Sequence, residues 1–247
     1  MRALWQRLKQ GYRTFDFPRK EPEMPRHYRG LPILRQHAQM NHDEIIALLA
    51  VCPAQAVSCE QEQMRIDLGR CIFCGACESP AIHFSREFRQ ATARREDLYL
   101  WAGYDPPLAQ ASDIRKVLGR SLKLRQVSAG GCNACEADTN VLNTLVYDLA
   151  RFGVQFVASP RHADGLLITG PVPKNMLLAL QKTYAATLTP KLVIAVGACA
   201  ISGGLFRELQ PGGRGVEGIL PVDLYIPGCP PHPYTILDGI LRLLGRG

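Results

Sequence analysis

Apolar positions fall in two textures along the chain. Through residues 1–120 they are scattered among arginines, prolines and acids, with no sustained period. From residue 121 onward, short apolar runs alternate with amphipathic stretches. The runs LKLRQVS (122–128), GVQFVAS (153–159), GLLITG (165–170), KLVIAVG (191–197) and VDLYIPG (222–228) have the length and apolarity of buried strands. Residues 133–151, 173–187 and 233–245 carry apolar positions at helical spacing. Such strands, separated by helices, predict an α/β domain over 120–247, with a parallel sheet covered on both faces. Residues 1–105 read as a smaller preceding domain. The linker is expected in WAGYDPPLAQASD (101–113), where Pro106 and Pro107 interrupt any regular element.

The cysteines give this pattern its chemistry. Cys132 and Cys135 form a C-x2-C pair in GGCNACEADTN, directly after the first strand. Cys199 follows KLVIAVGA, and Cys229 follows VDLYIPG and leads into PPHP. All four sit just past carboxyl ends of expected strands, the edge at which open α/β sheets bind ligands. Four thiolates meeting there suit a zinc ion or an iron–sulfur cluster. Gly130, Gly131, Gly197, Gly203, Gly204 and Gly228 clear side chains from around them. That leaves room for a bulky cubane and for backbone N–H groups near its sulfides, where a lone zinc needs less space. Cys199 and Cys229 as plain buried small hydrophobes is the competing reading.

In the first half, CIFCGAC places Cys71, Cys74 and Cys77 at C-x2-C-x2-C. A bacterial ferredoxin run continues with three residues and Cys-Pro, but here the chain reads ESPAI. In two-cluster ferredoxins the fourth cysteine of each run ligates the other cluster. The missing ligand is therefore expected upstream, and AVCPAQAV supplies Cys52. Counting back from Cys52 by the same spacing reaches Leu48, Ile45 and His42, so the upstream run has lost its own three thiolates. The two losses agree: one cluster is gone, and Cys52, Cys71, Cys74 and Cys77 remain for the other. Leu48 and Ile45 are expected to fill part of the vacated space. Cys59 is left over as a structural or surface cysteine.

The motifs GGCNACEADTN, SPRHADGLLITGPV, VGACAISGG and VDLYIPGCPPHP, in that order, resemble the small electron-transfer subunit shared by group 4 [NiFe] hydrogenases and complex I. The resemblance covers about residues 120–246. It implies a flavodoxin-like fold and one [4Fe–4S] cluster on Cys132, Cys135, Cys199 and Cys229, next to a hydrogenase-type large subunit. Complex I subunits carry two adjacent cysteines at the first position, so the C-x2-C spacing here leans toward the hydrogenase branch. Residues 1–100, through YRGLP, CPAQAV and LGRCIFCGAC, resemble the polyferredoxin subunit of formate hydrogenlyase-type complexes. Taken together, the resemblances imply a degenerate ferredoxin-like (α+β) domain fused to the α/β domain, with two [4Fe–4S] clusters in all. They also imply further iron–sulfur and membrane-arm subunits as partners, and a cytoplasmic location peripheral to the inner face of the cell membrane. Glu136, after the second cluster cysteine, is read as either a proton relay or a first-turn acid favoured by the helix dipole. Arg161 and His162 are candidates for tuning the cluster from nearby, and Asp164 for anchoring a loop.

Composition narrows the alternatives. With 247 residues and 47% apolar content, the chain builds a core without disulfides. No run approaches 18 apolar residues, so no transmembrane helix is expected, and MRALWQRLKQGYRTF lacks the apolar region of a secretory signal. The net charge of +7 admits nucleic acid, anionic lipid or acidic protein as partners, with a solvated basic face as the competing reading. No nucleic-acid motif accompanies it, and none is expected to bind. WQRLKQGYRTF reads as a short amphipathic helix for a membrane surface or a partner.

Overall fold

The computed structural model describes residues 2–35, 42–60, 63–111, 121–209 and 213–247, which include all nine cysteines. In chain order the elements are α1 (Arg2–Gln10), β1 (Pro32–Leu34), α2 (His42–Val51), β2 (Val57–Glu60), β3 (Gln63–Asp67), β4 (Ile82–Phe84) and β5 (Tyr99–Trp101). Then follow β6 (Leu122–Ser128), α3 (Ala134–Val141), β7 (Val154–Phe156), β8 (Gly165–Thr169), α4 (Lys174–Ala186), β9 (Leu192–Val196), α5 (Ala198–Ser202), β10 (Leu224–Ile226) and α6 (Pro233–Leu243).

The second half is α/β, as its apolar pattern requires. Its five strands are all parallel, in the order β7-β6-β8-β9-β10. Counted from the first strand this is 2-1-3-4-5, an order that puts the switch point between β6 and β8. Every residue of β8, β9 and β10 is buried, because both sheet faces are covered.

Leu167, Ile194, Val196 and Ile226 face α6 on one side of the sheet, and Leu166, Ile168, Val193 and Ala195 face α4 and α5 on the other. The expected helix 133–151 is much shorter than its apolar pattern suggested. It ends at Val141, and the chain turns so that Leu149 N–H bonds to Leu142 O at 3.0 Å. Asn140, Asn143 and Thr144, whose side chains compete for backbone groups, weaken the helix there. Asp148 completes the turn at φ +46°. The strand expected over 153–159 is likewise confined to Val154–Phe156.

The first half is not irregular. It holds an antiparallel pair, β1–β4, and an antiparallel three-stranded sheet, β2-β3-β5. It also shares its core with the second half. Ile66, Leu68, Ile82, Leu98 and Leu100 join the layer that covers Leu166 and Ile168. On the opposite face Phe17 and Phe88 pack on Tyr234 of α6, at ring centroid distances of 5.4 and 6.1 Å. Thr92 and Tyr225 exchange backbone hydrogen bonds of 3.0 and 2.9 Å, extending the parallel sheet beyond β10 by one antiparallel bridge. The segment expected as a linker is broken by its prolines but packed: Ala109 is buried, and its N–H bonds to Ala91 O at 2.8 Å. Residues 112 and 113 of that segment lie outside the described residues.

Candidate iron–sulfur sites

The cysteines of the second half lie along the carboxyl edge of the parallel sheet. Gly130 at φ +78° and Asn133 at φ +72° make the sharp turn from β6 into α3 that carries Cys132 and Cys135. Cys199 sits in the first turn of α5, straight after β9. Cys229 lies in the loop after β10, and the last two loops are stitched together. Gly197 N–H bonds to Ile226 O and Ala198 N–H to Gly228 O, each at 2.8 Å.

Gly197, at φ +88° and ψ 157°, leaves no side chain where a Cβ would stand 2.5 Å from Cys135 Sγ. A Cβ at Gly204 would stand 3.0 Å from Cys199 Sγ. Backbone therefore surrounds the sulfurs where other residues would put side chains, which is the room a bulky inorganic group needs. Cys132 and Cys229 are exposed at the rim, and Cys135 and Cys199 are set deeper.

The four thiols also act on one another electrostatically. Burial pushes Cys199 up to about 12, and the thiols of Cys229 and Cys132 add to the rise. Cys135 is raised further by the same burial, with Cys199 and Cys229 the next largest causes. Cys229 is raised by burial and by Cys132. These thiols resist ionising together until a cation stands among them, and a bound metal inverts that logic.

Four of the five cysteines of the first half line one cavity. Cys52, just past the end of α2, and Cys71, Cys74 and Cys77, after β3, face it together with Ile72 and Phe84. Two backbone N–H groups already point at the sulfurs: Ala56 N–H to Cys52 Sγ at 3.2 Å and Phe73 N–H to Cys71 Sγ at 3.4 Å. Burial lifts Cys71 to about 12, with Cys77, Cys52 and Cys74 contributing, and raises Cys77, with Cys52 next in effect. Cys59 lies on β2 opposite Met64 and does not line the cavity. Leu48 packs against the neighbouring core, Ile45 is half-buried and His42 is exposed.

No three of the described Cys, His, Asp or Glu side chains stand as close as the ligands of one metal ion do.

The two sets border each other. One cleft is lined by Ile72 and Phe73 from the first and by Gly228, Cys229 and Pro231 from the second. Behind it the loop before Cys71 is bolted to α5. Ser202, fully buried, donates from Oγ to Gly69 O at 2.8 Å. Asp67 holds that loop from within, accepting from Gly69 N–H at 2.8 Å and from both terminal nitrogens of Arg95 at 2.9 and 2.6 Å. These contacts leave no local signal in the sequence: Ser202 and Gly69 are 133 positions apart, and Asp67 and Arg95 are 28.

Arg29, inside YRGLP, has no spacing that marks it as part of a site. Its side chain lies against Gly75, where a Cβ would overlap it, between Cys74 and Cys77. It lines the inter-set cleft, and no carboxylate pairs with it among the described residues.

The other candidates sort by sheet edge. Glu136 is 5% exposed and accepts from Ser128 Oγ and Thr169 Oγ1, each at 2.6 Å. It ties α3 to the ends of β6 and β8 at the switch point, beside Cys135. Arg161 and His162 are not near the cysteines. They are exposed in the turn before β8, at its amino end, a strand length of about 16 Å from the carboxyl edge. Asp164 does anchor a loop at that far edge, accepting from Lys123 N–H at 2.7 Å.

Residues 132–243 match the family model described as NADH ubiquinone oxidoreductase, 20 Kd subunit. Among curated relatives, a "Probable membrane-bound hydrogenase subunit" of Pyrococcus furiosus is 44% identical over 135 residues, covering 55% of this chain and 81% of the relative. Formate hydrogenlyase subunit 7 of Escherichia coli is 41% identical over 134 residues, 54% of this chain and 52% of that one. An NADH-quinone oxidoreductase subunit of Citrifermentans bemidjiense is 44% identical over 113 residues, 46% of this chain and 66% of that one. The chain thus spans about half the length of the formate hydrogenlyase subunit. All three relatives are subunits of oxidoreductases.

Proposed function

The chain belongs to the family of the NADH ubiquinone oxidoreductase 20 Kd subunit, and from that premise we propose that it is the electron-transfer subunit of a membrane-associated [NiFe] hydrogenase of formate hydrogenlyase or energy-converting type. One [4Fe–4S] cluster is assigned to Cys132, Cys135, Cys199 and Cys229. A second is assigned to Cys52, Cys71, Cys74 and Cys77, in a ferredoxin-derived domain fused ahead of the flavodoxin-like one. The reading is supported by Cys52, Cys71, Cys74 and Cys77 lining one cavity, by Cys199, Cys229 and Cys132 acting on Cys135, and by a cleft that Cys229 lines together with Ile72 and Phe73.

Bound at these sites, each cluster would supply reversible one-electron storage. The chain's own part is binding and placement. Ala56 and Phe73 N–H groups donate toward thiolate sulfurs, which favours the more reduced state of a bound cluster. Ser202 and Gly69 fix the two sets within one body. Ile72, Phe73 and Pro231 line the space between them. The exposed rim at Cys132 and Cys229 is the face for a hydrogenase-type large subunit, which would keep water and oxygen from the site. Further iron–sulfur and membrane-arm subunits complete the complex. No helix among the described residues is long and apolar enough to cross a bilayer, and the reading puts the chain at the periphery of the inner face of the cell membrane, beside those partners.

A second reading is favoured by the 44% identity to a quinone oxidoreductase subunit: the same chain beside a large subunit without nickel. Metal and sulfide analysis of the anaerobically purified complex, resolved by subunit, tests both. About eight irons and eight sulfides in this chain, with nickel in its neighbour, are expected. Irons without nickel anywhere select the second reading, and zinc without sulfide overturns both.

A further inference from the structure

Helix α1 stands off the body with no buried side chain. Leu4, Trp5 and Leu8 are 70%, 67% and 78% exposed, and Tyr12, just beyond the helix, is 88% exposed. At about 100° per residue the three helical side chains fall within an arc of about 100°. Arg7 flanks that arc on one side, and Lys9 and Arg2 flank it on the other. Residues 2–15 carry Arg2, Arg7, Lys9 and Arg13 and no acid.

The helix is not a loose tail. Phe15 N–H bonds to Val146 O at 3.0 Å, and Arg151 donates to Phe15 O at 2.7 Å and to Phe17 O at 3.0 Å. These bonds hold α1 beside Leu145 and Val146, themselves 70% and 45% exposed. Leu145 lines the same surface depression as Arg7, Tyr12 and Arg13. Arg7 lies over the Tyr12 ring, 5.0 Å from its centroid, which keeps the aromatic on this side.

We propose that this face lies directly on an anionic lipid surface, with Leu4, Trp5 and Leu8 inserted at the headgroup boundary and the four cations over the phosphates. Nine residues cannot span a bilayer, but length does not limit a helix lying in its interface. Tryptophan beside leucine, with flanking Arg and Lys, is the composition such helices use. The four cations have no acid among them across residues 2–15, which makes the face complementary to an anionic surface. The proposal goes beyond the electron-transfer reading and does not depend on the cysteines.

The test is co-sedimentation of the full chain with phosphatidylcholine vesicles, with and without phosphatidylglycerol, at low and high salt. Binding only to the anionic vesicles, weakened by salt, is expected. Neutralising Arg2, Arg7 and Lys9 together should weaken it by about two orders of magnitude, at roughly fivefold per cation. Leu4→Glu with Leu8→Glu should abolish it. Since α1 buries nothing, these variants keep the fold, which circular dichroism verifies. A wild-type chain that ignores anionic vesicles, or a double glutamate variant that binds like wild type, overturns the proposal. A chain that ignores vesicles but whose glutamate variant drops out of the purified complex assigns the face to a protein partner instead.

Discussion

Replacing Gly197 by alanine tests the second cysteine set at its tightest point. The residue sits at φ +88° and ψ 157°, a region essentially restricted to glycine. Alanine there costs about 1–3 kcal/mol in backbone strain. The new Cβ would also stand 2.5 Å from Cys135 Sγ, about 1 Å inside ordinary contact. The strand-to-helix turn cannot rotate away cheaply. Gly197 and Ala198 N–H groups both bond to the β10 loop at 2.8 Å, and each bond contributes about 0.5–1.5 kcal/mol. Swinging Cys135 out of its rotamer costs about 0.5–1.5 kcal/mol and is the easier relief. The summed penalty stays below the roughly 5–15 kcal/mol that holds a domain folded. The expected product is a folded chain whose Cys135 no longer meets its three partners. Iron should fall from about eight to about four per chain, with sulfide in step and an unchanged far-ultraviolet dichroism spectrum. Gly218→Ala is the control: it has φ +73° but nothing within 4 Å of its Cβ, so it adds strain without crowding and should keep all the iron. Full iron in Gly197→Ala, with a wild-type paramagnetic spectrum, would refute the placement of Cys135.

Other expectations follow from the same geometry. Cys52→Ser should remove about four irons and Cys59→Ser none, by iron and sulfide assay, since only Cys52 lines the first cavity. Arg29→Met should lower the midpoint potential of the first set, and Arg29→Lys should largely keep it, in a redox titration followed by paramagnetic resonance; an unmoved midpoint removes Arg29 from the site. Arg95→Met strips a buried partner from Asp67 and should cost about 3–5 kcal/mol in urea unfolding, whereas a loss under about 1 kcal/mol would make the pair solvated in practice. Burial lowers the pKa of His232, so the folded chain holds it neutral while the unfolded chain takes a proton below about 6.5. Its contribution is therefore full above that value and is lost as pH falls toward the depressed folded pKa. The urea midpoint should drop between about pH 7.5 and about pH 5.5, and His232→Asn, which can still cap α6, should flatten the slope.

What could be read from the sequence depended on how far apart the interacting residues lie. The parallel strands showed themselves because β8, β9 and β10 are buried on both faces, so each is one uninterrupted apolar run. The positions of Cys199 and Cys229 followed, since each comes after such a run, and Cys132 and Cys135 come after β6, whose burial alternates at its start. Strands β1 to β5 are three to five residues long and of mixed burial, and they left no period to detect. Arg161 and His162 were misplaced because nearness to a motif says nothing about which edge of the sheet a loop occupies. Ser202, Asp67 and Arg29 matter through contacts with distant parts of the chain, and neither periodicity nor spacing carries that information.

Because the two halves share a core, dilution cannot separate the two cysteine sets. Were the two cysteine sets on separate polypeptides, their adjacency would follow mass action and loosen as concentration fell. Here Phe17 and Phe88 are buried against Tyr234, and Leu68 and Leu98 lie in one layer with Leu166. The sets therefore come in strict one-to-one stoichiometry from a single translation event, and no dissociation constant governs their spacing. Breaking them apart means unfolding the chain.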